Sequence, residues 1–109
     1  MHGMMMNRPL RIADTITLAE KIHPNEEIIS KTLQGDLHIT NYAEIALRSR
    51  QMSKALLSLG VKMGDRIATL AWNGFRHLEL YFAISGIGAI CHTINPRLSS
   101  EQMTYVVNH

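Results

Sequence analysis

Apolar residues recur at helical spacing in two stretches of the first half of the chain, which predicts two helices there. The first is expected to begin near Asp14, which can cap it, and to end before a His-Pro pair. The second is expected over Asn41–Leu59, because Asn41 and Glu44 stand three apart as in a capping box and Gly60 follows the last apolar position. Its expected apolar stripe comprises Tyr42, Ile45, Met52, Leu56 and Leu59, with the small Ser49 in the series.

Two short apolar segments lie between these helices and predict a β-hairpin. They are Glu27–Lys31 and Leu37–Thr40, and Gln34-Gly35-Asp36 supplies a turn with a glycine for the positive φ angle. The stretch before the first helix, Met1–Pro9, is rich in methionine and has no periodic pattern, so we expect it to be irregular and mobile.

The second half of the chain predicts one parallel βαβ unit. Arg66–Trp72 is nearly continuous in apolar residues, which is typical of a strand covered on both faces. Phe75–Ser85 has helical spacing, and we expect Arg76 and Glu79 on its polar side. Ala89–Ile94 is a second buried strand, after which Ser99 and Gln102 form the capping box of a last helix. That helix has Met103, Val106 and Val107 as its expected apolar face.

The fold class that follows is α/β: a partial parallel sheet with one βαβ unit and flanking helices, plus an N-terminal β-hairpin. Two parallel strands with one crossover helix leave an open edge and one uncovered face. We therefore expect either that further strands follow in a longer protein or that the chain self-associates. The absence of a predicted C-terminal cap on the last helix favours the longer protein.

Composition narrows the class of protein without identifying it. The 109 residues carry a formal net charge of +2, which is too small and too evenly spread to indicate nucleic-acid binding. The single cysteine, Cys91, excludes an internal disulfide framework and favours a reducing compartment. No signal peptide and no transmembrane segment are apparent, so a cytoplasmic location is expected.

Several residues that could support chemistry have a simpler structural interpretation. The six histidines show no i, i+4 pair and Cys91 and His92 are adjacent on a strand, so no metal site is expected. Cys91 lies within an apolar strand and is expected to be a packed thiol. Gly86 and Gly88 end a helix before a strand, which is the reverse of a phosphate loop, so they indicate a helix stop and a close backbone approach. A basic helix face formed by Arg48, Arg50 and Lys54 is expected to be solvated.

The candidate binding residues lie just after the two predicted parallel strands. Trp72, Asn73 and His77 follow the first strand, and Asn95 follows the second. Ligands of open α/β sheets bind at the carboxyl ends of the strands, so these side chains are candidates for substrate binding. The alternative is that Asn73 and His77 only satisfy the turn and the start of the following helix.

The same two strand ends carry a resemblance to a known family. The sequences Gly64–Asn73, Arg76–Glu79, Tyr81–Ala83, Gly88-Ala89 and His92–Leu98 resemble the N-terminal region of AMP-forming fatty acyl-CoA synthetases of the adenylate-forming superfamily. Asn41–Ile45 is similar to the Thr-Tyr-x-Glu-Leu helix start of that family, with Asn in place of Thr. Met1–Met6 is similar to the start of medium-chain acyl-CoA ligases, which favours a native terminus over a tag.

The resemblance implies that residues 1–109 are the N-terminal subdomain of the AMP-binding domain of a medium- or long-chain fatty acid–CoA ligase, inactive alone. The longer enzyme would convert fatty acid, ATP and CoA, with Mg²⁺, into acyl-CoA, AMP and pyrophosphate. The phosphate loop, adenine-reading segment, hinge Asp and catalytic Lys of the family have no counterpart here, so none of these ligands is expected to bind this segment alone. Trp72, Asn73, His77 and Asn95 would border the acyl pocket. The alternative is a short, non-catalytic binding or interaction module.

Overall fold

The computed structural model describes residues 3–109, and it has the mixed α/β organisation that the sequence predicts. Met1 and His2, the first two residues of the expected irregular lead-in, lie outside the described residues, and 3–9 contain no helix or strand. In chain order the elements are α1 (Ile12–Ile22), β1 (Glu27–Lys31), β2 (Leu37–Asn41), α2 (Tyr42–Ser58), β3 (Arg66–Leu70), α3 (Phe75–Gly86), β4 (Ile90–Ile94) and α4 (Ser100–Asn108).

The predicted hairpin is confirmed. Strands β1 and β2 pair antiparallel, with Glu27 opposite Asn41 and Lys31 opposite Leu37. Gly35 has a φ angle of +93°, which is the left-handed conformation expected of the turn glycine. The Thr32 amide closes the turn by donating to the Asp36 carbonyl at 2.8 Å.

Helix α1 begins earlier than the sequence predicted, and Asp14 is not its cap. The helix starts at Ile12, and its N-cap residue, Arg11, makes no side-chain capping bond. Asp14 lies in the first turn, where its carboxylate accepts a hydrogen bond of 2.8 Å from Arg11 and one of 3.3 Å from Arg8. A carboxylate at this position is stabilised by the positive end of the helix dipole and by the two guanidinium groups, and this replaces the expected capping role.

Both predicted ends of α2 are confirmed, although the capping box is incomplete. Asn41 Oδ1 accepts from the Glu44 amide at 2.9 Å, while the Glu44 carboxylate accepts from the Thr40 hydroxyl. At the other end Gly60 has a φ angle of +89°, and its amide donates to the Leu57 carbonyl. The next amide, of Val61, reaches back to the Leu56 carbonyl, which completes a Schellman motif.

The parallel βαβ unit is also confirmed. Strands β3 and β4 pair in parallel, with Arg66 in register with Ile90 and Leu70 with Ile94, and α3 connects them. Strand β3 ends at Leu70 rather than at Trp72, so Ala71–Gly74 form a loop.

A tight glycine contact fixes the entry to both parallel strands. The Gly64 amide donates to the Gly88 carbonyl at 2.9 Å, and the Ile90 amide donates to the Asp65 carbonyl at 2.8 Å. Gly88 has a φ angle of +76°, and a Cβ atom there would lie 3.1 Å from Met63 Cγ. The predicted close backbone approach at this glycine is therefore confirmed.

One face of the parallel sheet is largely open. On this face Arg66, Ala68, Leu70 and Ile90 are exposed, with Leu70 at 56% and Ile90 at 50% of their full accessibility, while Ile94 at the end of β4 is buried. The prediction that these strands are covered on both faces is thus wrong for the described residues. The prediction of one uncovered face is confirmed, because only the opposite face, carrying Thr69, packs against α3.

The hydrophobic core lies between the first three helices and the hairpin. Its buried centre is Ile16, Ile45 and Ala46, against which Ile28, Tyr42, Phe75, Leu78 and Phe82 pack. The predicted α2 stripe is correct at Ile45 and wrong at Leu59, which is 80% exposed beyond the end of the helix. The core instead includes Ala46, because the buried residues of α2 lie in the N-terminal half of the helix.

Helix α4 begins with the predicted capping box: Ser99 accepts from the Gln102 amide, and the Gln102 side chain accepts from the Ser99 amide. It buries no residue completely. No helix among residues 3–109 has the length and apolarity required to cross a bilayer.

Candidate functional site

The carboxyl ends of β3 and β4 bring three of the four candidate residues together. Trp72, Asn73 and Asn95 line an open cleft of about 370 Å³, which we call the strand-end cleft, together with Ala71, Pro96 and Arg97. Neighbouring parallel strands end at the same edge of a sheet, so two loops that are distant in sequence meet there. That these residues bind substrate stays a prediction.

An arginine that the sequence analysis did not select forms part of this cleft. The Arg97 guanidinium lies over the Trp72 indole, 5.3 Å from the ring centroid, while the indole remains 49% exposed. Asn95 Oδ1 accepts from the Arg97 amide at 3.0 Å and so shapes the turn that carries the guanidinium. The cleft therefore offers a stacked cation and an aromatic face to a ligand. The signal in the sequence that could have identified Arg97 is its position, two residues after the Asn that follows the second strand.

The fourth candidate, His77, lies apart from this cleft. It is only 5% exposed, and its Nε2 lies 3.0 Å from the Thr69 hydroxyl on β3. Its ring stacks on Tyr81 one turn further along α3, with centroids 4.6 Å apart. His77 therefore ties the start of α3 to the sheet, and it also lines a second cleft beside the hairpin.

The same threonine contacts the cysteine. Burial raises the pKa of the Cys91 thiol, and a hydrogen bond with Thr69 acts in the opposite direction. A half-buried thiol with a raised pKa is a poor nucleophile, which agrees with the expected packed thiol. The pair also links β4, β3 and α3 through one hydroxyl group.

The sequence predicted that the basic face of α2 is simply solvated, but two of its three side chains also form ion pairs with neighbouring helices. Arg48 Nε donates to the buried carboxylate of Glu79 on α3, at 2.5 Å. Arg50 makes a bidentate ion pair with Glu20 on α1, with both distances 2.7 Å. All three side chains nevertheless remain exposed, those of Arg48 and Arg50 at 46% and 53%, and Lys54 takes part in no ion pair among residues 3–109. The prediction of an exposed Glu79 is likewise wrong, because the buried side of α3 includes this carboxylate and its partner.

No group of three or more His, Cys, Asp or Glu side chains among residues 3–109 is arranged to hold a metal ion. The buried Glu79 and the half-buried Glu20 instead pair with arginines, and His77 contacts Thr69.

Comparison with protein families gives a decisive match over most of the chain. The model described as "AMP-binding enzyme" matches residues 19–109. The chain belongs to this family. The matched segment contains every helix and strand from β1 onward, and both strand-end loops.

Relatives at the sequence level are CoA ligases. The chain is 50% identical over all 109 residues to a 3-methylmercaptopropionyl-CoA ligase of Ruegeria lacuscaerulensis, and 45% identical over 109 residues to a medium-chain-fatty-acid–CoA ligase of Ectopseudomonas oleovorans. It covers 20% of each of these proteins. The chain thus spans about a fifth of the length of the curated relatives it matches.

Solved structures agree on the fold. A putative long-chain-fatty-acid CoA ligase from Rhodopseudomonas palustris matches 94% of this chain and 25% of its own, with a TM-score of 0.77 and 25% identity. A fatty acyl CoA synthetase from Mycobacterium tuberculosis matches 89% of this chain and 19% of its own, with a TM-score of 0.78 and 22% identity. The hairpin, the helices and the βαβ unit are therefore an arrangement that acyl-CoA synthetases share.

Proposed function

We propose that residues 1–109 are the N-terminal subdomain of the AMP-binding domain of a longer fatty acid–CoA ligase that acts on medium- or long-chain acids. The observation that carries this proposal is similarity at 45–50% identity over the whole chain to two CoA ligases of which the chain covers one fifth. Such identity over every element, with the fold of acyl-CoA synthetases, supports a common reaction in the longer protein.

In the proposed reaction a fatty acid carboxylate attacks the α-phosphorus of ATP, forming an acyl-adenylate and releasing pyrophosphate. The CoA sulfur then attacks the acyl carbon, the thioester forms and AMP leaves. Mg²⁺ would neutralise charge on the transferring phosphates. Residues 3–109 provide no cluster of ligands that fits this ion, so no step is assigned to it here.

We propose that the chain alone is inactive, because none of the catalytic groups of the family resemblance has a counterpart in it. The test is an ATP–pyrophosphate exchange assay with octanoate and with palmitate, run on the 109-residue chain and on a protein extended by the coding sequence downstream of the His109 codon. Exchange by the extended protein only is the expected result. Absence of an acyl-CoA ligase sequence downstream would refute the proposal.

We also propose that Trp72, Asn73 and Asn95 border the acyl pocket, and that His77 acts by positioning their loop. The shared strand-end cleft and the burial of His77 against β3 support this division. In the extended enzyme, Trp72→Ala should change the preference between octanoate and palmitate. Unchanged chain-length preference and turnover in both Trp72→Ala and His77→Ala would contradict it.

The alternative, a short interaction module, is favoured by the exposed apolar surface of the β3–β4 sheet. Under this alternative the chain would bind a partner or itself through that surface without catalysis. A stop codon directly after His109 would favour it. For either function we propose a cytoplasmic protein, since one unpaired cysteine fits a reducing compartment.

A further inference from the structure

We propose that the cleft between the β-hairpin and the first turn of α3 binds a phosphate-bearing anion. This hairpin cleft measures about 540 Å³, within the range of small-molecule sites. It shares Ala71–Asn73 with the strand-end cleft, and its other lining residues are 30–34, His38, Leu70, Leu80 and the start of α3 with its N-cap residue. The proposal does not depend on the CoA ligase function.

The charge of the hairpin cleft favours an anion. Lys31, His38, Arg76 and His77 line it, and its lining includes no Asp or Glu. Neither Lys31 nor Arg76 takes part in an ion pair within residues 3–109. Their positive charges are therefore not neutralised by an ion pair there, and the Arg76 guanidinium lies over the Phe75 ring, 5.4 Å from its centroid. Guanidinium and ammonium groups are the side chains that typically bind phosphate.

The start of α3 adds backbone donors to the same cleft. Its N-cap residue is Gly74, which has no side chain to accept from the amides of the first turn. Gly74, Phe75 and Arg76 all line the cleft. The first amides of a helix have no partner within the helix and lie at the positive end of its dipole, so they favour an anion.

Two buried polar atoms without partners point to a ligand independently of the helix. In the described chain three buried side-chain atoms lack a hydrogen bond, and two of them, His77 Nδ1 and Thr32 Oγ1, belong to residues lining this cleft. Leaving such an atom unpaired in the folded chain is unfavourable. A ligand oxygen in this cleft would give His77 Nδ1 the partner that the described residues do not provide.

The hydrogen bonding of His77 is compatible with donation to an anion. With the Thr69 hydroxyl donating to Nε2, the proton of the neutral ring is on Nδ1, away from Thr69. His38 also lines the cleft, and its ring stacks on Phe75 at 3.6 Å between centroids.

Trp72 is the only tryptophan in the chain and lines the hairpin cleft, so its fluorescence can report binding. The 109-residue chain is titrated with inorganic phosphate and with pyrophosphate at ionic strength held constant with KCl. We expect a saturable change, and shifts of the Arg76 and His77 amide signals in ¹H–¹⁵N spectra. A change that does not saturate, or shifts confined to other residues, would overturn the proposal.

Three arginine variants locate the site. Arg76→Gln should weaken binding about tenfold, as expected for the loss of one charge-assisted contact. Arg66→Gln, at the opposite end of β3, makes the same charge change and should leave the affinity unaltered. Arg97→Gln should also leave it unaltered, because Arg97 lines only the strand-end cleft. Equal losses in all three variants, or a loss confined to Arg97→Gln, would refute binding in the hairpin cleft.

Calorimetric titration of the longer protein tests whether the cleft stays available there. Phosphate or pyrophosphate binding that Arg76→Gln weakens is the expected result. Binding by the 109-residue chain that disappears in the longer protein would overturn the proposal, because the cleft would then be filled by the protein itself.

Discussion

At the scale of single residues, glycine and threonine positions determine how the βαβ unit is closed. Gly88 was predictable as a close approach because it separates a helix from a strand, and the structure shows its carbonyl bonded to Gly64. The Thr69–His77 contact was not predictable, since nothing in a strand pattern shows which hydroxyl meets which helix residue.

Gly88→Ala is predicted to lower the free energy of unfolding by about 2 kcal/mol, because Cβ meets Met63 and the left-handed backbone is strained for alanine. Gly60→Ala is the matched control: its φ angle is also positive, but a Cβ there meets nothing within 4 Å, so about 1 kcal/mol is expected. Urea denaturation of both variants gives the difference. An equal loss of stability in the two variants would show that the Met63 side chain moves aside without strain.

Thr69→Val is predicted to cost about 1–3 kcal/mol, because it leaves His77 Nε2 buried without a partner while the side-chain volume is nearly conserved. Thr93→Val is the control on the neighbouring strand, since Thr93 is in register with Thr69 but exposed. It should change stability by less than about 0.5 kcal/mol. Thermal unfolding followed by circular dichroism measures both. A neutral Thr69→Val would mean that His77 finds another partner.

At the scale of secondary structure, local signals predicted the elements well and their exposed faces poorly. Asn41, Gly60 and Ser99 are local stop and start signals, and each ends or begins a helix as expected. The buried side of α3 depends on a partner 31 residues away, Arg48, which neutralises Glu79. Helical spacing alone places a glutamate on the polar side, so this ion pair could not be inferred.

The Arg48–Glu79 pair predicts an asymmetric response to mutation. Arg48→Gln should cost about 2–4 kcal/mol because it leaves a buried carboxylate without its cation, whereas Glu79→Gln should cost less, because the half-exposed Arg48 can be solvated. The more exposed Glu20–Arg50 pair supplies the control, and Arg50→Gln should cost at most about 1 kcal/mol. Urea denaturation midpoints measure the stability cost of each variant, and a double-mutant cycle of Arg48 and Glu79 gives the interaction energy of that pair. Equal costs for the two members of the buried pair would contradict this account.

At the scale of the whole molecule, the chain is less compact than a self-contained domain of its size. Its radius of gyration is 16.3 Å, whereas about 13 Å is typical of 100 residues. The nearly continuous apolar runs of β3 and β4 predicted cover on both faces, yet one face is open. The meeting of Trp72 with Asn95 could still be predicted, because it depends only on two adjacent parallel strands and not on what covers them.

We predict that the 109-residue chain self-associates through this open face, because burying Leu70 and Ile90 removes apolar surface from water and covers the sheet. Analytical ultracentrifugation over a hundredfold range of concentration should show the sedimentation coefficient rising with concentration. The double variant Leu70→Glu and Ile90→Glu should remain monomeric throughout, because each carboxylate would have to be desolvated in the contact. Leu59→Glu is the control, because Leu59 is an exposed leucine outside the sheet, and this variant should associate like the unaltered chain. A chain that is monomeric at every concentration would refute self-association, and association retained in the double variant would place the contact on another surface.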